Sequence, residues 1–302
     1  MGTFTGHFVP GMAFSLLGLW HTIKTIASKK FAGNAGFQSR TWHPLGGQLS
    51  VLRHLELLLL FCFSIFAMAT QLLDDGLLHL SRRPDSFEHA TMFFHLAVYA
   101  CAALAADRAR EHAEALGGFV GVLAANVFAQ EFFLLRCHST DHVGVEGHYH
   151  WLLQLLVFVC LLSSLSAALS PGCFPAALVR AMAVTLQGVW FIVMAFALWM
   201  PRLIAEGCHP TDTAGDGGTH GAVTCETAEA DAWARVLGNL QFSWAIAGVS
   251  ILTAVLCLRH GRDPTEYRRL VPGTADVLHL NPARRKTRSK WGCRVLKDAW
   301  KK

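Results

Sequence analysis

Seven mostly apolar runs, each close to the length of a membrane span, constrain this chain more than any other feature. A helix needs roughly 20 apolar residues to cross a hydrocarbon core about 30 Å thick. Backbone groups in lipid must bond within their own segment, so runs of this length predict helices. We therefore expect an all-α polytopic membrane protein, a seven-transmembrane-helix bundle. The expected spans lie near residues 8–27, 51–71, 89–107, 116–136, 149–169, 177–200 and 233–258.

The distribution of Lys and Arg predicts the orientation of these spans. Composition agrees with a membrane protein, because 53% of the residues are hydrophobic and only 16% are charged. Cationic residues cluster on one side of the predicted spans, which favours a lumenal or outside N-terminus and a cytosolic C-terminus. In this orientation the loop from Glu206 to Asp231 is lumenal, and its Cys208 and Cys225 either form a disulfide or stay unpaired.

Two domains follow from the composition: a transmembrane domain over residues 1–258 and a basic cytosolic tail over residues 259–302. The tail ends in SKWGCRVLKDAWKK, where tryptophans alternate with basic residues. This pattern predicts an amphipathic helix over residues 289–302 that binds anionic membrane lipids. Nucleic acid is not expected as a partner, because aromatic residues lie among the cations next to the last span. A solvated tail without regular structure is the alternative.

The stretch CHSTDHVGVEGHYHW, from Cys137 to Trp151, is unusually rich in histidine and lies in the predicted lumenal loop before span five. Glu131 lies just before it, inside span four, where a charged side chain costs roughly 2.5–3.5 kcal/mol and therefore indicates a functional site. We expect a water-accessible polar pocket at this end of the bundle. The predicted metal ligands are His89, His138, His142, His148 and His150, and the predicted acid/base groups are Glu131 and Asp141.

Three interpretations of this pocket stay open. Imidazole and carboxylate groups together suit a transition metal such as zinc, which could activate water for catalysis. Without a metal, the same groups could relay protons, since histidine titrates near neutral pH. They could also simply join helices through hydrogen bonds. The cofactor is thus unknown from the sequence, with zinc as the example that fits the residue types.

Two features within other spans predict structural roles. Arg53 and Glu56, in the RHLE stretch near the cytosolic end of span two, are expected to pair with opposite charges at the interface. Gly188 in span six is expected to mark a close contact between two helices.

Five motifs follow one another along the chain: GHFVPG near the N-terminus, FEHATMFF from Phe87, QEFFLLRCHSTDHVGVEGHYHWLLQ from Gln130, LQGVWF from Leu186 and NLQFSW from Asn239. Together they resemble the transmembrane protein 45 family (the domain-of-unknown-function 716 family), in its plant-type branch. The resemblance implies a multi-pass protein of Golgi, endosomal or other secretory-pathway membranes, and implies no particular reaction. The resemblance to animal members implies a histidine in the last span, near the position of Trp244, and this chain has no histidine in that span.

The sequence therefore predicts a multi-pass endomembrane protein of unassigned activity that contacts membrane lipids and binds a lipid or hydrophobic small molecule. The alternative is a metal-dependent hydrolase acting on a lipid, by analogy with seven-helix zinc hydrolases such as alkaline ceramidases. A transporter would need a path to the cytosolic side, where the sequence offers little beyond His54 and Glu56. No oligomeric state follows from the sequence.

Overall fold

The computed structural model describes residues 3–31, 36–46, 52–73, 84–109, 113–137, 143–211 and 222–260. These residues form seven α-helices and one small sheet. The helices are α1 (Phe4–Phe31), α2 (Leu55–Leu73), α3 (Pro84–Arg108), α4 (Ala113–Arg136), α5 (Gly144–Leu169), α6 (Phe174–Trp199) and α7 (Ala228–His260). The strands are β1 (Cys208–Pro210) and β2 (Val223–Cys225).

Six of the described helices, α2 to α7, are long and apolar enough to cross a membrane. This confirms the prediction of an all-α, polytopic membrane protein. The first helix, α1, is 28 residues long and contains more polar residues, including His7, His21 and Lys24. The basic tail, with the helix expected over residues 289–302, lies outside the described residues, so the division into two domains stays a prediction.

Helix α1 lies directly on α6, because glycines on both helices remove the side chains that would separate them. A Cβ atom on Gly18 would collide with the backbone of Thr185, and a Cβ atom on Gly188 would collide with the backbone of Ser15. Small residues of this kind let transmembrane helices approach at backbone distance. The expectation that Gly188 marks a close helix contact is confirmed.

The remaining helices pack mainly on their neighbours in the chain. Helix α2 lies on α3, α3 on α4, and α4 on α5, while α7 covers parts of α5 and α6. The largest core cluster lies between α5 and α6, where the Tyr149 and Trp190 rings stack with centroids 5.3 Å apart. The indole Nε1 of Trp190 also donates to the backbone oxygen of Tyr149 at 3.1 Å. Of the six apolar helices, α6 is the most buried and α7 the least.

A disulfide-linked hairpin covers one end of the bundle. Strands β1 and β2 are antiparallel, with Cys208 paired to Cys225, and a disulfide joins these two cysteines. The carboxylate of Glu146, in the first turn of α5, accepts a hydrogen bond from the backbone nitrogen of Ala222 and so fixes the hairpin to the bundle. We call this the hairpin end, and the other the Glu56 end, after the residue at the start of α2.

Candidate functional site

At the hairpin end, His7 of α1 and His150 of α5 face each other. Their Nε2 atoms are 3.5 Å apart and their rings are nearly perpendicular. The Nδ1 atom of His7 lies 3.0 Å from the backbone oxygen of Thr3, and the Nδ1 atom of His150 lies 2.9 Å from that of Glu146. A carbonyl oxygen only accepts, so each Nδ1 must donate its proton. In the neutral rings, two Nε2 lone pairs therefore point toward each other.

His148 lies only two residues before His150 but has different partners. Its Nε2 atom is 2.8 Å from the Oδ1 atom of Asn239 on α7, and its ring stacks on Trp151. Residues two apart on a helix are separated by roughly 200° around the axis, so they lie on different faces. The structure therefore does not bring His148 and His150 to one point, in contrast to the expectation of a single histidine cluster.

Of the other predicted metal ligands, the structure describes only His89. His89 lies on α3, near enough to His7 to act on it electrostatically. His138, Asp141 and His142 lie outside the described residues. Within the part of the chain that the structure describes, no group of three His, Cys, Asp or Glu side chains is arranged to hold a metal ion. The five-histidine ligand set and the acid/base role of Asp141 stay predictions.

Glu131 is buried inside the bundle rather than exposed to lipid. Its Oε1 atom accepts a hydrogen bond from Nε2 of Gln187 at 2.7 Å. The Oε1 atom of Gln187 accepts in turn from the thiol of Cys160 at 3.4 Å. These two hydrogen bonds join α4, α6 and α5. The described hydrogen bond of Glu131 therefore comes from an amide and not from an imidazole.

A second polar cluster occupies the Glu56 end. The Oε2 atom of Glu56 accepts from the indole of Trp20 at 2.8 Å and from the backbone nitrogen of His43 at 3.0 Å. Its Oε1 atom lies 2.8 Å from Nε2 of His21. Glu56 is in the first turn of α2, where the helix dipole favours a carboxylate. The sequence predicted an interface pair here, and the structure shows a carboxylate that joins α1, α2 and the segment between them.

The surroundings of this cluster are strongly cationic. His43 lies in the segment between α1 and α2, with its ring perpendicular to that of His21 at a centroid distance of 5.0 Å. Burial, followed by the positive charges of His21, Arg180, Arg40 and Lys24, lowers the pKa of His43 to about 2. The ring is therefore neutral at any physiological pH.

Arg180 of α6 is a buried cation at the same end. Its Nη2 atom donates to the backbone oxygen of Arg40 and to the hydroxyl of Ser39 at 3.4 Å. Arg180 is 6% exposed. Among the described residues, no carboxylate oxygen lies within 4.0 Å of its guanidinium nitrogens. Its charge is thus hydrogen-bonded but has no acidic side chain in contact with it.

A cavity of about 90 Å³ extends from these polar groups into the middle of the bundle. Its walls are mostly apolar and come from six helices, for example Leu17 of α1, Phe63 of α2 and Phe128 of α4. Polar groups line its Glu56 end, including His21, Glu56 and Arg180. The buried hydroxyl of Ser164 on α5 also lines it and has no hydrogen-bond partner among the described residues. The cavity therefore suits a molecule with both a polar and an apolar part.

Comparison with known proteins shows a similarity to one family. The model of a family of unknown function, DUF716, matches residues 117–258, which span α4 to α7. Over these residues the chain is similar to the DUF716 family. It is 27% identical over 213 residues to transmembrane epididymal protein 1A of Mus musculus, covering 67% of this chain and 68% of the relative. It is 25% identical over 220 residues to transmembrane epididymal protein 1 of Rattus norvegicus, with 67% and 68% coverage.

These matches confirm the family predicted from the sequence motifs, while the plant-type branch stays a prediction. Three residues of this chain were not predicted to share a site: Arg180, Ser164 and Glu56. A usable signal was present for the two charged residues, because Arg180 interrupts an apolar run, as Glu131 does, and Glu56 lies at the edge of another. The hydroxyl of Ser164 gave no such signal.

Proposed function

We propose that this DUF716 chain is a seven-span protein of secretory-pathway membranes, with a lumenal N-terminus, a cytosolic C-terminus and a bound lipid or hydrophobic small molecule. Helix α1 supports the seventh span, because its 28 residues reach about 42 Å and it lies at backbone distance from α6. The disulfide of the hairpin supports the orientation, because disulfides persist in the oxidising lumen. A Golgi or endosomal location follows from the family resemblance.

The observation that favours ligand binding is the hydroxyl of Ser164, which has no hydrogen-bond partner among the described residues and lines a mostly apolar cavity. A buried polar group without a partner costs about 1–3 kcal/mol. An oxygen of a bound molecule would remove that cost, and its hydrocarbon part would contact the apolar walls. Mostly apolar cavities with a few convergent polar groups are the usual form of a ligand site.

Cavity size limits how much of the ligand is enclosed. Complete small-molecule pockets measure about 300–1,000 Å³, and this cavity measures about 90 Å³. It therefore takes the polar group of a lipid and the first carbon atoms of its chain. The rest of the molecule lies outside the cavity.

Filling the cavity is expected to reduce ligand binding at least ten-fold. Ala124 lines the cavity on α4, and the Ala124→Leu variant places three more carbon atoms there. Purified protein would be labelled with photoactivatable analogues of a fatty acid, a sterol and a phosphatidylcholine, and the labelled peptides mapped by mass spectrometry. Ala247→Leu is the matched control, because it adds the same atoms at an exposed position on α7. Equal labelling of both variants by all three probes would contradict the proposal.

A metal-dependent hydrolase at the hairpin end is the second candidate, and the His7–His150 geometry favours it. Two imidazole ligands of a tetrahedral zinc ion, each at about 2.0–2.1 Å, have nitrogen atoms about 3.3–3.4 Å apart. The observed separation of the Nε2 atoms is 3.5 Å. His7 and His150 would supply two ligands, with the others drawn from the predicted histidines other than His148. Glu131 would be the acid/base group of that reaction.

This candidate predicts about one zinc per chain after purification in zinc-containing, chelator-free buffer. His150→Ala and His7→Ala are expected to lose the metal, measured by inductively coupled plasma mass spectrometry. His148→Ala is the control that keeps it, because the His148 ring binds Asn239 instead. Metal-free wild-type protein, or equal metal content in all three variants, excludes the His7–His150 site.

A further inference from the structure

We infer that the molecule bound in the cavity is an anionic amphiphile whose charged oxygens bind Arg180 and Ser164. This inference rests on the proposed function, since it specifies the chemical class of the ligand at the same site. A fatty-acid carboxylate and the phosphate of a single-chain phospholipid share the required chemistry. Both present anionic oxygens at one end of one hydrocarbon chain.

The first argument is the charge of Arg180. A guanidinium has five N–H donors, and the described bonds of Arg180 go to two neutral oxygens, those of Arg40 and Ser39. A buried charge is costly unless an opposite charge neutralises it. An anionic head group in the cavity would lie against the guanidinium and supply that charge. The planar fork of Arg180 matches the two oxygens of a carboxylate or phosphate.

The second argument is that Glu56 is already fully engaged. Both of its oxygens are occupied, by the indole of Trp20, the imidazole of His21 and the backbone nitrogen of His43. Glu56 therefore acts on Arg180 only through space. Lys24 and Arg40 are cations that act on the buried His43 ring. Asp107, a further described carboxylate at this end, is already paired with Arg53 and His54. The local charge is positive, which favours an anion over a neutral head group.

The third argument is the position of Ser164 and of the apolar walls. Ser164 lines the cavity, and its hydroxyl, which has no partner in the described part of the chain, can donate a hydrogen bond to an anionic oxygen. Leu17 and Phe63 line the cavity from α1 and α2, two helices whose main contacts are with α6 and α3. The hydrocarbon chain therefore leaves the cavity between α1 and α2 and continues in the bilayer.

The test compares three probes with the same chain length on the full-length protein in non-ionic detergent: palmitic acid, 1-palmitoyl lysophosphatidic acid and the uncharged hexadecanol. Wild-type protein is expected to bind at least one anionic probe ten-fold or more tightly than hexadecanol, measured by competition against a photoactivatable palmitic acid. Tight binding of palmitic acid alone identifies a carboxylate ligand, and tight binding of the lysophosphatidic acid alone identifies a phosphate ligand.

Variants at two positions separate charge recognition from folding. Arg180→Gln is expected to lose the preference for the anion while its affinity for hexadecanol stays unchanged, and Arg180→Lys to keep part of that preference. Ser164→Ala is expected to weaken anion binding several-fold without affecting the fold, because the hydroxyl has no partner among the described residues. The Ser164→Ala variant keeps the test valid should Arg180→Gln fail to fold.

The outcomes distinguish this inference from the proposed function. Equal affinity for hexadecanol and both anionic probes overturns the anionic ligand, while the loss of that binding in Ala124→Leu still supports a hydrophobic ligand in the cavity. Labelling that is unchanged in Ala124→Leu for every probe overturns the cavity as a ligand site, and the anionic ligand with it.

Discussion

The Gly18→Leu variant is expected to yield no stably folded protein, because a side chain at this position has no space. A Cβ atom on Gly18 would meet the backbone nitrogen and Cα of Thr185 as well as its side-chain hydroxyl, and the backbone atoms cannot rotate out of the way. Relief of that collision would require α1 to move away from α6, the most buried of the six apolar helices. Overpacking a core usually costs about 1–3 kcal/mol, and a collision with backbone is expected to exceed that range. Size-exclusion profiles and thermal unfolding in detergent would measure the loss.

Variants at two other glycines define the expected contrast. Gly188→Ala should be similarly destabilised, because its Cβ atom would collide with the backbone of Ser15 from the α6 side. Gly248→Ala on α7 is the control, because nothing lies within 4 Å of its Cβ position. In a helix interior, alanine is favoured over glycine by about 1 kcal/mol, so this control should be neutral or slightly stabilised. A Gly18→Leu protein that melts within a few degrees of the wild type would remove the support for α1 as the seventh span.

The positions of the helices could be predicted from the sequence, because the bilayer sets the length of an apolar run. Their ends could not be predicted as well. Span five was expected over residues 149–169, and α5 begins earlier, at Gly144. The first turns of α5 include Glu146, whose carboxylate binds the hairpin. Hydropathy detects the part of a helix in lipid, whereas contacts of this kind decide where the helix begins.

Helix α1 shows why hydropathy is a weaker signal for a helix that packs mainly on protein. Its polar side chains include His7, His21 and Thr25, which are all buried in the structure. A lipid-facing helix excludes such residues, but a helix held against α6 can bury them when they form hydrogen bonds. The prediction of a helix over residues 8–27 agrees with α1 at Phe4–Phe31, although its composition differs from that of the other six.

The candidate sites were harder to predict, because they depend on contacts between residues far apart in sequence. His7 and His150 are separated by 143 positions, and no local pattern relates them. Helical periodicity alone would have separated His148 from His150, since neighbours on one face are three or four residues apart. Arg180 was not among the predicted site residues, because its lack of a contacting carboxylate among the described residues depends on the packing of α6.

The Glu56→Ala variant is expected to lose about 3–5 kcal/mol of unfolding free energy, as when one partner of a buried ion pair is removed. The side chains of His21 and Glu56 are only 10% and 8% exposed. Without the carboxylate, the indole of Trp20, the imidazole of His21 and the backbone nitrogen of His43 all lose their acceptor. Unfolding by sodium dodecyl sulfate in mixed micelles, followed by tryptophan fluorescence, would measure the change.

Asp107 provides the matched control, because it pairs with Arg53 and His54 at a more exposed position. Exposed ion pairs contribute about 0–1 kcal/mol, so Asp107→Ala should cost far less than Glu56→Ala. A double-mutant cycle gives the sharper result, because the effects of His21→Ala and Glu56→Ala should fall short of adding when the two side chains are in contact. Additive effects, or equal losses for Glu56→Ala and Asp107→Ala, would mean that Glu56 does not join α1 to α2.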